Sequence, residues 1–126
     1  MPDALQARLT LGRDKRLLKR GEFARIKTEG RRLVRGCLVV NWMVCPDSAV
    51  SRLGAITSKA IGNAIKRSRA RRLMREVFRH HQHEFTQPIE LVLIARRSIN
   101  EKDFQQVERT FLKLMSEAGV LAAREE

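Results

Sequence analysis

Acidic residues are scarce in this chain of 126 residues, where 14 Asp and Glu stand against 26 Lys and Arg. The resulting formal net charge of +12 repels itself in a compact state and attracts polyanions over long range. A nucleic acid is therefore the favoured partner. An anionic membrane is a weaker alternative on charge, and we expect no membrane partner. No segment approaches the length of a spanning helix.

Cysteine is also rare. Cys37 and Cys45 are the only two cysteines. They lack Cys-x-x-Cys spacing, and on one strand their α-carbons would be too far apart to bridge. Two buried, reduced thiols are predicted, as is typical of a cytosolic protein. Met1 to Thr10 carry no apolar signal-peptide core, so we predict a cytoplasmic location.

Clusters of catalytic side chains are absent as well. Asp and Glu are too scattered to form an acid–base pair, and neither a Ser-His-Asp set nor a Gly-rich phosphate loop stands out. His80, His81 and His83 lie together, but no cysteine or carboxylate set at ligand spacing completes a zinc site. Cationic histidines at a helix C-terminus are favourable without a metal. We predict no catalytic and no metal-ligating residue in the chain.

Length and apolar periodicity predict one domain over residues 1–126, with an irregular arm at about 1–15 and a tail at about 118–126. The predicted elements are a helix Arg20–Glu29, a strand Leu33–Cys45, a strand Leu53–Thr57, a helix from Asn63 to about Phe85, a strand Ile89–Ala95, and a last helix that Asn100 caps and Gly119 ends. A turn after Cys45 suggests that the second strand is the hairpin partner of the first. This order predicts an α/β sandwich with one helical layer against a small sheet.

Basic residues concentrate between Lys66 and Arg79, a stretch with seven Lys or Arg and one acid, Glu76. On a helical projection Arg71, Arg75 and Arg79 form one row, opposite the apolar stripe of the helix. Like charges four residues apart destabilise a helix by about 0.2–0.5 kcal/mol per pair. A helix that tolerates this repulsion along one face is predicted to bind phosphates, and arginine suits forked hydrogen bonds to them. The alternative is an ordinary solvated helix face.

The segment Thr57–Glu76, TSKAIGNAIKRSRARRLMRE, resembles the signature of the bacterial ribonuclease P protein. That signature joins a strand end, a Lys and Gly-Asn turn, and an Arg-Asn-Arg helix with further basic residues and a leucine. Arg16–Phe23 and Gly30 resemble the opening helix of the family, and Ile89–Arg97 resembles its late strand and basic exit. The resemblance covers roughly residues 13–117.

The resemblance implies the protein subunit of a ribonucleoprotein endonuclease that removes the 5′ leader of precursor tRNA. Its partners would be the catalytic RNA and the precursor tRNA. The RNA would perform the hydrolysis and hold most of the Mg²⁺, and the free protein would be a monomer. The implied fold is a small two-layer α/β sandwich with a central mixed sheet of about four strands and three helices. It has a left-handed β-α-β crossover, where general rules predict a right-handed one.

The family motif also implies the site residues. The RNA-binding positions are Lys59, Asn63, Lys66, Arg67, Ser68, Arg69, Arg71, Arg72 and Arg75. A cleft between the first helix and the sheet would receive the single-stranded leader at Phe23, Lys27 and Asn41. A base stacked on Phe23 would contribute about 1–3 kcal/mol. Phe23 equally suits a core position beside Ile26.

Three residues depart from the family pattern. Ser68 replaces the central asparagine of the Arg-Asn-Arg motif, Lys27 stands where a second aromatic is common, and Asn41 stands where tyrosine is common. Strand alternation puts Trp42 on the opposite face from Asn41, so Trp42 is no substitute. We therefore expect leader binding to depend more on the charge of Lys27 than on Trp42.

Three other functions compete with this interpretation. An rRNA-binding protein of ribosomal type shares the size, charge and fold type. A DNA-binding regulator would require helix-turn-helix spacing, whereas the basic helix follows a strand. A nuclease with its own metal site would require clustered carboxylates.

Overall fold

The computed structural model describes residues 15–16 and 20–121. Residues 1–14 of the arm predicted at about 1–15, and residues 122–126 of the tail predicted at about 118–126, lie outside this range. The described part contains four strands and three α-helices. In chain order they are α1 Arg20–Glu29, β1 Arg31–Arg35, β2 Leu38–Val44, β3 Arg52–Ile56, α2 Ala64–His81, β4 Ile89–Ala95 and α3 Phe104–Ala118, with 3-10 turns at Lys59–Ile61 and Arg97–Glu101. The predicted mixed sheet with three helices is confirmed.

The sheet has the strand order β1-β2-β4-β3. β2 pairs antiparallel with β1 and with β4, and β3 pairs parallel with β4. The predicted single strand Leu33–Cys45 is wrong, because the chain reverses at Gly36 and forms a β1–β2 hairpin. Gly36 has φ of +55°, a conformation that glycine adopts without strain. The predicted pairing of the second strand with the first is also wrong, since β4 lies between them.

β3 and β4 are joined by α2, so the basic helix is the crossover of a β-α-β unit. Two parallel neighbours require a crossover of this kind. The left hand of the crossover stays a prediction from the resemblance. No helix in the described ranges is long and apolar enough to cross a membrane.

The two faces of the sheet carry different helices. Val40, Trp42 and Leu93 belong to the main core, together with buried residues of α2 and α3. Val92, whose side chain points to the other face, packs with Ile26 of α1. The sequence predicted one helical layer. The structure places α2 and α3 in that layer and α1 on the opposite face.

The helix ends depart in part from the predicted bounds. α2 ends at His81 and not near Phe85. Asp103, and not Asn100, caps α3, because its carboxylate accepts a hydrogen bond from Gln106 N at 2.8 Å. Gly119 ends α3 with φ of +72°, as predicted. Asn100 lies in a 3-10 turn and donates its side-chain amide to a backbone carbonyl oxygen.

Both cysteine thiols are free, as predicted. Cys37 is buried and Cys45 is half-buried. Burial raises the pKa of both thiols from their ordinary value, which keeps them in the unreactive thiol form.

Candidate nucleic-acid interface

A capping asparagine sets the N-terminus of the basic helix α2. Asn63 Oδ1 accepts a hydrogen bond from the backbone N–H of Lys66 at 3.0 Å. Gly62, just before it, has φ of +132°, which disfavours any residue with a side chain. Lys59 and Asn63 are both exposed at this end of the helix. The predicted RNA-binding residue Asn63 therefore also has a structural role.

One flank of α2 borders the edge strand β3 and carries a cluster of guanidinium groups. Arg71 donates to Thr57 Oγ1 at 2.7 Å and to Ser68 Oγ at 3.2 Å. Partial burial lowers the pKa of Arg75 from its ordinary value, and the charges of Arg16 and Arg71 lower it further. These three cations repel one another, so an anionic phosphate placed among them would be attracted strongly.

Two other arginines of α2 are occupied by contacts within the protein. Arg69 donates to the backbone oxygens of Ile99 at 3.2 Å and Lys102 at 2.6 Å. Arg79 forms an ion pair with Glu76 at 2.9 Å, which raises the pKa of Arg79 and lowers the pKa of Glu76. The predicted row of arginines is therefore not uniform, because Glu76 offsets its last member.

The outer face of α2 is open to solvent. Lys66, Ser68 and Arg72 are exposed, and Arg67 is half-buried. Sequence reasoning missed Ile65, which is 80% exposed in the first turn of the helix. Its position off the apolar stripe is the signal that identifies it. All the residues predicted to bind RNA thus lie on α2 or in the turn before it.

The residues predicted to bind the leader lie on α1 and on the sheet face that α1 covers. Phe23 is half-buried and packs on Gly54, where a Cβ atom would come within 2.3 Å of the ring. Phe23 also packs against the small core of Ile26 and Val92. This position suits both a core residue and a residue that stacks on a base. One part of the Phe23 ring packs in the small core, and the other part is exposed.

Across the sheet, one row of residues lies on the face that α1 covers. The register aligns Gly54 with Val92, Val92 with Asn41, and Asn41 with Arg32. Asn41 is buried, and Arg32 is exposed on the edge strand. Sequence reasoning missed Arg32, since its place depends on the hairpin that was not predicted. Lys27 is exposed on α1, one turn after Phe23 on the same side of the helix.

An ion-pair network fixes α1 to the sheet. Arg52 of β3 contacts Glu22 of α1 at 2.5 Å and Glu90 of β4 at 2.9 Å. It also donates to the backbone oxygen of Arg16 at 3.1 Å. These contacts join Arg16, α1, β3 and β4. Because Arg52 lies far from both acids in the sequence, no local pattern pointed to this network.

The histidines at the end of α2 make protein contacts. His81 is buried between two carboxylates, with Nδ1 2.5 Å from Glu84 and Nε2 2.9 Å from Glu108. The ring of His80 lies 5.5 Å from that of Phe104. Within the described residues, no group of three or more His, Cys, Asp and Glu side chains is arranged to hold a metal ion.

An arginine-rich crossover helix on one face of a mixed sheet, with an aromatic ring beside basic side chains on the other face, is typical of a small α/β protein that binds nucleic acid. The chain belongs to the ribonuclease P protein family, whose model, described as "Ribonuclease P", matches residues 11–119.

Curated relatives agree with the family assignment. The ribonuclease P protein component of Bacillus pumilus is 31% identical over 105 residues, covering 83% of this chain and 88% of the relative. The protein of the same name from Gluconacetobacter diazotrophicus is 33% identical over 109 residues, covering 86% and 94%.

Solved structures of the family share the fold. The Staphylococcus aureus RNase P protein superposes with a TM-score of 0.77 at 26% identity, covering 86% of this chain and 98% of that one. The Thermotoga maritima RNase P protein gives a TM-score of 0.72 at 29% identity, covering 81% and 96%.

Proposed function

We propose that this chain is the protein subunit of ribonuclease P, which binds the catalytic RNA and the 5′ leader of precursor tRNA and promotes removal of the leader. The observation that carries the proposal is the cationic α2, with Arg72 and Arg75 exposed and Arg71 and Arg16 beside them. Relatives with the name ribonuclease P protein component support it.

The exposed cations of α2 bind the catalytic RNA in this proposal. Lys66, Arg72 and Arg75 supply phosphate contacts, and Lys59 extends them beyond the first turn. Asn63 and Arg69 hold the helix in place through their contacts with backbone groups. Counterions released from the RNA make such binding favourable and strongly dependent on salt.

The cleft between α1 and the sheet binds the leader. Phe23 offers the exposed part of its ring to a base, while Lys27 and Arg32 attract the backbone. The edge strand β3 connects the two sites, because Gly54 supports Phe23 on one face and Thr57 holds Arg71 just beyond the strand. One RNA surface spanning this edge would contact both sites.

Hydrolysis is assigned to the RNA subunit, with Mg²⁺ held mainly by that RNA. The carboxylates of Glu22, Glu76 and Glu90 form ion pairs with arginines, and that of Glu108 contacts the ring of His81, which gives each of them a structural role. The protein's own residues bind and orient the two RNAs. We place the free monomer in the cytoplasm, where precursor tRNA is made.

Cleavage of precursor tRNA by a bacterial ribonuclease P RNA tests the proposal. The assay compares reactions with and without the full chain, at low Mg²⁺ and moderate salt. A large gain in cleavage at the mature 5′ end is expected. No gain, together with tight binding to structured rRNA, would favour the rRNA-binding alternative.

A further inference from the structure

A second cationic surface lies at the sheet edge farthest from β3. A groove of about 200 Å³ separates α3 from the edge strand β1. We name it the α3 groove, and the residues that line it are Arg35, Lys102, Gln106, Arg109, Thr110 and Lys113.

Four of the six lining residues are cations, and none is an acid. Arg109 and Lys113 are exposed and lie one helical turn apart, a like-charge spacing that costs a helix about 0.2–0.5 kcal/mol. Arg35 forms an ion pair with Glu117 at the end of the groove. Among residues 20–121, neither Lys102, Arg109 nor Lys113 has an ion-pair partner.

The walls of the groove are held in place by other contacts. Arg96 donates to the backbone oxygen of Gly36 at 3.1 Å, which fixes the β1–β2 turn. A Cβ atom on Gly36 would lie 3.6 Å from the Thr110 side chain, so the turn sits directly on α3. Asp103 and Gln106 form a capping box that fixes the start of α3. Because the backbone around the groove is already fixed, binding of an anion there costs little conformational entropy.

We propose that the α3 groove binds the phosphate backbone of the catalytic RNA, as a contact additional to α2. Arg69 of α2 donates to the backbone oxygen of Lys102, so the groove adjoins one flank of the basic helix. The leader cleft lies on the other face of the sheet, beneath α1. The inference rests on the proposed function, because it assigns the groove to the RNA that binds α2.

Affinity for a bacterial ribonuclease P RNA tests this proposal, measured with the full chain over a series of salt concentrations. The groove variant is Arg109→Gln/Lys113→Gln. The matched control is Arg25→Gln/Arg31→Gln, which removes the same charge from exposed positions outside the groove. Each lost phosphate contact flattens the slope of log K against log salt by roughly one. We expect the groove variant to flatten the slope by roughly two, with weaker binding at fixed salt.

Two results would overturn the inference. One is an equal loss in the groove variant and the control, since net charge alone would then explain it. The other is a loss confined to precursor tRNA, with affinity for the catalytic RNA unchanged. If the wild-type chain failed to stimulate cleavage, the proposed function would fail instead, and that reaction is measured first. Circular dichroism confirms that each variant is folded.

Discussion

At the scale of the residue, the contact between Phe23 and Gly54 fixes the ring that we propose binds the leader. The Phe23 ring occupies the space that a side chain on residue 54 would fill. A Cβ atom on Gly54 would lie 2.3 Å from Phe23 Cε1. A glycine inside a strand lowers strand stability, and here its missing side chain admits the ring. The position of Phe23 is thus set by a residue on another element.

Gly54→Ala is expected to displace the Phe23 ring from its contact with residue 54. Overpacking of this kind costs about 1–3 kcal/mol, and affinity for leader-bearing precursor should fall more than affinity for mature tRNA. Chemical denaturation and binding titrations measure the two effects. Gly21→Ala on α1, where a Cβ meets nothing within 4 Å, is the control and should not weaken binding. Unchanged leader affinity in Gly54→Ala would refute the assigned cleft.

Arg69 and Arg72 separate structural from RNA-binding arginines. Arg69→Gln removes two hydrogen bonds to backbone oxygens and is expected to cost about 1–3 kcal/mol of stability. Arg72→Gln, at an exposed position, should leave stability within about 0.5 kcal/mol and weaken binding to the catalytic RNA. Thermal unfolding and RNA titrations of both variants provide the test. The reverse pattern would show that the roles are exchanged.

At the scale of the element, the positions of the strands were easier to predict than their pairing in the sheet. Period and β-branched content identify β2 and β4, because buried strands differ from their surroundings locally. The hairpin at Gly36 was missed because one glycine after Arg35 is a weak turn signal in the sequence, and the structure alone shows its positive φ. β4 lies between β2 and β3 in the sheet, and it pairs with them through residues that are far apart in the sequence. The basic helix of the candidate site was predicted well, whereas Arg32 and Arg52 depend on strand pairing and were missed.

The ends of α2 and α3 are joined by His81. Both of its ring nitrogens face carboxylates, those of Glu84 and Glu108. His81→Ala is expected to destabilise the protein by about 1–3 kcal/mol, because it leaves the two carboxylates without this partner. Urea unfolding measures the effect, with His83→Ala at an exposed position as the control. Equal stability of the two variants would show that His81 does not connect the helices.

At the scale of the whole molecule, positive charge dominates the behaviour of the free protein. The net charge of +12 is spread over α2, the α3 groove and the edge strand β1, so repulsion acts across the whole fold. Binding of an anion to the folded state alone would stabilise it by mass action. Folding and RNA binding are therefore linked in this account.

The free chain at low salt is expected to be partly folded, and sulfate should increase its order. Circular dichroism measures helix content and the melting temperature against sulfate concentration. Sodium chloride at matched ionic strength separates anion binding from general screening. Spectra that sulfate leaves unchanged would contradict this linkage.

The most direct test of the central claim is the stimulation of precursor-tRNA cleavage by Arg72→Gln/Arg75→Gln, beside wild type and Arg25→Gln/Arg31→Gln. The variant should be at least as stable as wild type, because it removes repulsion among Arg16, Arg71 and Arg75. We expect the α2 variant to lose most of the gain in cleavage at low Mg²⁺ and the control to keep it. Full stimulation by the α2 variant would contradict the assignment of α2 to the catalytic RNA.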